Sequence, residues 1–74
     1  MPYLICYDIR DNKRLTKVRN ILINHCYLVQ KSVFFCNSEL IKHKVISEIL
    51  KIIQIKTDDL RCYQIDKFNI NTII

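Results

Sequence analysis

The chain has 74 residues, a formal net charge of +5, 50% hydrophobic residues, no glycine, one proline and four cysteines. A chain this short makes one small domain, and its single core contributes only about 3–5 kcal/mol, so a second subunit or another staple is expected. No apolar run reaches the roughly 18 residues of a membrane span, no CxxC or CxxH pair offers a structural zinc site, and no glycine loop can cradle a nucleotide.

Met1-Pro2 leads straight into the run Tyr3-Leu4-Ile5-Cys6-Tyr7-Asp8-Ile9. With no leader before it, and with thiols placed in or beside strands, the chain reads as cytoplasmic with reduced cysteines. The run predicts a strand apolar on both faces, Tyr3, Ile5, Tyr7 and Ile9 on one side and Leu4, Cys6 and Asp8 on the other. Asp8 fits neither strand propensity nor burial. A carboxylate there is paired, capping a neighbour or holding a metal.

Asp11 or Asn12 can cap a helix over Lys13 to Asn24, with Leu15, Val18, Ile21 and Leu22 at helical spacing. Tyr27 to Cys36 is extended, and its polar break Gln30-Lys31-Ser32 predicts either a bent strand or two short strands at a tight turn. Asn37 or Ser38 can cap a second helix with Glu39 in its first turn. There Ile41, Val45, Ile49 and Ile52 or Ile53 form the apolar stripe, widened by Leu40, Ile46 and Leu50. Lys42, His43, Lys44, Glu48 and Lys51 form its polar side. Lys56 to Asp59 reads as a loop and Leu60 to Ile65 as the last clear strand. Without glycine, turns that need positive φ are expected to use Asn or Asp.

If the middle stretch is two strands, the order is that of a ferredoxin-like βαββαβ sandwich of α+β class. Both helices then lie on one face of an antiparallel sheet, and a two-fold homodimer through the sheet face covers the other. Residues 1–66 form the domain, and the tail 67–74, apolar at Phe68, Ile70, Ile73 and Ile74, is expected to add an edge strand to the partner subunit.

The net charge favours polyanionic partners, and Arg10, Lys13, Arg14, Lys17 and Lys31 are the candidate nucleic-acid contacts. No Ser-His-Asp or Cys-His constellation is readable. Two Asp8 carboxylates brought together across a two-fold axis can hold Mg²⁺ or Mn²⁺, which polarises a phosphodiester. Metal-assisted phosphodiester hydrolysis is the one catalysis these residues suggest.

Tyr-Asp-Ile at 7–9, Lys-Arg-Leu-Thr-Lys-Val at 13–18, Val-Gln-Lys-Ser-Val-Phe-Phe-Cys at 29–36 and Asp-Leu-Arg-Cys-Tyr at 59–63 resemble the CRISPR-associated protein two family, the small partner of the CRISPR integrase. The resemblance implies a ferredoxin-like homodimer that lies along double-stranded prespacer DNA and bridges integrase dimers. It also implies Mg²⁺-dependent endonuclease activity on RNA or DNA, with Asp8 as catalytic metal ligand and Tyr7, Ser32 and Phe34 near the interface site. This chain departs from the family pattern at Cys26 and Leu28, where Gly and Arg are common, and at Phe35, where an acid is common. Two rival readings share the fold plan: a stand-alone toxin ribonuclease of the virulence-associated protein D type, and a non-catalytic interaction module.

Overall fold

β1 (Tyr3–Asp8) is the middle strand of the sheet. The computed structural model describes residues 2–66 and, by their backbone, residues 70–72. After β1 come α1 (Asn12–His25), β2 (Tyr27–Gln30), β3 (Val33–Cys36), α2 (Glu39–Leu50), β4 (Asp59–Ile65) and β5 (Ile70–Thr72). The spatial order is β2-β3-β1-β4-β5, with every neighbouring pair antiparallel. Each helix crosses over one intervening strand, which is the interlocked split βαβ arrangement of the ferredoxin-like plan.

Side-chain alternation decides which face of β1 carries the core. Tyr3, Ile5, Tyr7 and Ile9 are buried with Phe34 and Cys36 of β3 and Leu60 and Cys62 of β4. Val18 and Leu22 of α1 and Val45, Ile46 and Ile49 of α2 close that layer. The opposite face carries Leu4, Cys6, Val33, Phe35 and Tyr63, all partly exposed. Neither helix covers it.

Local signals explain where the helices begin. Asp11 is extended (φ −98°, ψ 132°), and its carboxylate accepts from the Arg14 N–H at 3.0 Å, which caps α1. Ser38 does the same for α2 by accepting from the Ile41 N–H at 3.3 Å. Glu39 then favours the positive end of the helix dipole.

The middle stretch is two strands joined at Lys31-Ser32, with an irregularity between Leu28 and Gln30. Among the described residues no backbone φ is positive. The expected Asn and Asp turns of that kind are therefore not used among the described residues. The bulge instead supplies the twist that a tight hairpin otherwise takes from left-handed residues.

Three further expectations are corrected. Lys42, read as solvent-facing, is only 8% exposed, and its Nζ lies 4.7 Å from the centre of the Tyr3 ring. Its aliphatic stem packs on the sheet while the ammonium rests on the ring face. Leu40, read as widening the apolar stripe, is 83% exposed because it falls at the outer edge of the first turn of α2. Asp59, read as the end of a loop, is the first residue of β4, while Asp58 keeps its place in the loop as a buried anchor.

β5 pairs with β4 of its own chain, Tyr63 opposite Thr72 and Ile65 opposite Ile70. Phe68, Ile73 and Ile74 of the expected apolar tail lie outside the described residues.

Candidate active site

Asp8 is the last residue of β1, and alternation turns it to the uncovered face with Leu4 and Cys6. Its side chain is 68% exposed, and its nearest cation, Arg10 Nη2, is 3.9 Å from Oδ2. Directly across the β1–β4 ladder stands Asp59. That side chain is 59% exposed and accepts from Arg61 Nε at 3.2 Å. Like charges at facing strand positions repel each other, so this placement costs stability unless a cation lies between or beside them.

The strand ends that carry this pair are held from behind by Asp58, whose side chain is fully buried. Its Oδ1 accepts from the Arg10 N–H at 3.0 Å and from Arg14 Nη2 at 3.0 Å. Its Oδ2 accepts from Arg14 Nε at 2.8 Å and from the Gln54 N–H at 2.9 Å. Thr57 Oγ1 donates to Oδ1 at 3.3 Å. The Arg14 hydrogen bonds, helped by the two backbone donors, hold the Asp58 carboxyl well below the usual carboxylate range despite burial. One side chain thus joins the exit of β1, the first turn of α1 and the approach to β4.

On the helix side of Asp8 a cleft of about 410 Å³ opens between β1, α1 and the β2–β3 turn. Tyr7, Asp8, Ile9, Leu15, Arg19, Lys31 and Ser32 line it. The Tyr7 N–H donates to the Ser32 carbonyl at 3.2 Å, which ties the floor of the cleft to the turn. The Tyr7 ring stacks on Phe34, with centroids 6.2 Å apart. Burial pushes the Tyr7 phenol up, and the positive charge of Arg19 opposes that push.

The residues singled out in the sequence fall into separate places. Tyr7, Asp8, Lys31 and Ser32 meet at the cleft, and Phe34 lies beneath Tyr7 in the core. Arg10 is exposed beside Asp8. Lys13 and Lys17 are exposed one turn apart on α1. Arg14 is different, since its guanidinium forks onto Asp58. A fork used this way is a poor phosphate contact.

Sequence reading missed Asp59, Asp58 and Arg19. The partner of Asp59 depends on strand register, and the arginine partners of Asp58 are 44 and 48 residues away. Arg19 had a local signal, because it stands four residues after Leu15 and so borders the buried stripe of α1.

Asp8 and Asp59 suit a hard cation of the Mg²⁺ type in one respect. Such an ion is commonly held by one or two carboxylates, with water and substrate phosphate completing the shell. No cluster of three or more His, Cys, Asp or Glu side chains is present among the described residues.

Residues 1–73 match the family model described as CRISPR associated protein Cas2. A curated relative from Thermodesulfovibrio yellowstonii, a "CRISPR-associated endoribonuclease Cas2 2", is 42% identical over 85% of this chain and 70% of its own. A Synechocystis protein with the same name is 37% identical over 88% of this chain and 72% of its own. Among solved structures, Streptococcus pyogenes Cas2 superposes with a TM-score of 0.78 at 30% identity, covering 92% of this chain and 89% of that one. A hypothetical protein from Thermus thermophilus gives a TM-score of 0.79 at 30% identity over 88% of this chain and 80% of that one.

Proposed function

Because this chain belongs to the CRISPR associated protein Cas2 family, we propose that it is a metal-dependent endonuclease of CRISPR adaptation, with Asp8 as its metal-binding catalytic carboxylate. The observation that carries the reading is the placement of Asp8, at the rim of an uncovered apolar sheet face and opposite Asp59. Two relatives bear endoribonuclease names, which supports single-stranded RNA as the first substrate to try.

The working form is a two-fold homodimer through the uncovered face. Leu4, Val33, Phe35 and Tyr63 are the apolar side chains such an interface would bury, and it would bring a second Asp8 towards the first. Mg²⁺ or Mn²⁺ bound there supplies a polarised phosphoryl oxygen and an activated water. Asp8 orients the ion, Asp59 adds negative charge that favours its binding, and Arg10 and Arg61 offset the repulsion between the two carboxylates.

The same dimer, with the exposed cations Lys13 and Lys17 on α1, serves as a double-stranded-DNA scaffold for the CRISPR integrase.

The test compares wild type with Asp8→Ala, both verified as dimers, on labelled single-stranded RNA and duplex DNA with Mg²⁺, Mn²⁺ or EDTA. Cleavage is expected to need the metal and to fall about a hundredfold or more in Asp8→Ala. Cleavage that persists in EDTA or in the variant refutes the assignment of Asp8. Retained DNA binding without any cleavage leaves the scaffold role alone.

A further inference from the structure

The cleft beside Asp8 contains more than the proposed hydrolysis uses. Its mouth carries two cations from different elements, Arg19 of α1 and Lys31 of the β2–β3 turn. The ion pairs among the described residues join Arg10 to Asp8, Arg14 to Asp58, Arg61 to Asp59 and His43 to Glu39. Arg19 and Lys31 therefore face the cleft with no carboxylate partner among those residues. Asp8, the one acid in the lining, is turned to the opposite sheet face and has Arg10 beside it.

The shape is as informative as the charge. Leu15 and Ile9 give the cleft an apolar wall, Tyr7 an aromatic one, and Ser32 a hydroxyl. A concave space of about 410 Å³ with mostly apolar walls and a few convergent polar groups is of the size that takes a small ligand. Two cations in the lining, without a carboxylate partner among the described residues, select an anion, and a guanidinium favours the planar, two-pronged contact that a phosphate offers. The apolar and aromatic part of the lining suits a flat, weakly polar group such as a base.

We propose that this cleft is a nucleotide subsite, in which Arg19 and Lys31 hold one phosphate of a single strand and the Leu15–Ile9–Tyr7 wall receives the attached nucleoside. The inference rests on the nuclease reading for the identity of the anion, and it adds Arg19 and a binding pocket to it. A strand anchored there reaches Asp8 at the rim of the same cleft, so the neighbouring phosphodiester is delivered to that carboxylate at the edge of the dimer interface. Arg19 is then a substrate-binding residue acting before the chemical step.

Nuclear magnetic resonance on the full-length dimer in EDTA tests this without cleavage. Uridine 5′-monophosphate is titrated while the Ser32 amide and the Arg19 Nε–H are followed. Saturable shifts at both are expected, reproduced in part by inorganic phosphate and not by uridine. Arg19→Gln and Lys31→Ala should each weaken the apparent affinity about tenfold, whereas Lys44→Ala, the same loss of charge on exposed α2 surface, should not. Arg19 and Lys31 are exposed, and matching amide spectra confirm that each variant is folded. Because the titration is run in EDTA, where the proposed hydrolysis cannot proceed, it reads the subsite by itself, so failure of the hydrolysis reading and failure of this one are distinguishable. Absence of a saturable shift overturns the proposal, as does an equal loss in Lys44→Ala, which would mark diffuse electrostatic attraction.

Discussion

Asp8 and Asp58 lie at the same end of the sheet and are opposites in every physical respect. Asp8 is mostly exposed and has one distant cation. Asp58 is fully buried and accepts from two arginine nitrogens, two backbone amides and a threonine hydroxyl. A carboxylate whose oxygens are fully engaged by its own chain has nothing to offer a ligand. One whose oxygens face water can exchange that water for a metal. The buried acid fixes the frame, and the exposed acid is free because the frame does not depend on it.

Stability measurements should separate the two sharply. Asp58→Ala leaves the Arg14 guanidinium and two backbone N–H groups without their acceptor, and the thermal midpoint is expected to fall by on the order of ten degrees. Asp8→Ala removes one member of a facing like-charge pair, so its midpoint, read by calorimetry, should stay within roughly two degrees of wild type. Equal losses in the two variants would collapse the distinction.

Acid titration sharpens it further. The Asp58 carboxyl is held below its ordinary value, so its contribution is fully present above the unfolded value of about 4 and is lost as pH falls through the lower folded value. Urea midpoints should therefore drop below about pH 4 in wild type, and drop less steeply in Asp58→Asn. An unchanged slope would mean that another group governs acid unfolding.

Lys42 gives the smallest effect. Its charge rests on the Tyr3 ring and not in a network of hydrogen bonds. Lys42→Met keeps the stem and loses only that attraction, for an expected cost of about 0.5 kcal/mol in urea unfolding. A loss as large as that of Asp58→Ala would show that Lys42 belongs to the frame.

What was readable in the sequence was what short-range patterns encode. Alternation placed β1 and its two faces, helical spacing placed Val18, Leu22, Val45 and Ile49 in the core, and the caps at Asp11 and Ser38 are local hydrogen bonds. Asp8 stood out because a carboxylate interrupts an apolar run. Asp58 did not, since an acid after Lys56-Thr57 looks like any polar loop until Arg14 arrives from 44 residues away. The same limit hid Lys42, because helical spacing shows which side of α2 a residue is on but not that Tyr3 waits there to receive it. Strand register, which sets Asp8 against Asp59, is decided only when β1 and β4 meet.

The central position of β1 also has a consequence for how the chain folds. Its two neighbours are β3 and β4, which begin at Val33 and Asp59. β1, made before either neighbour, therefore waits for residues 59–65 before both of its edges are satisfied. Its closure depends on sequence-distant contacts, which favours slow folding for so short a chain. Until residues 59–65 arrive, one edge of an apolar strand stays open to other chains.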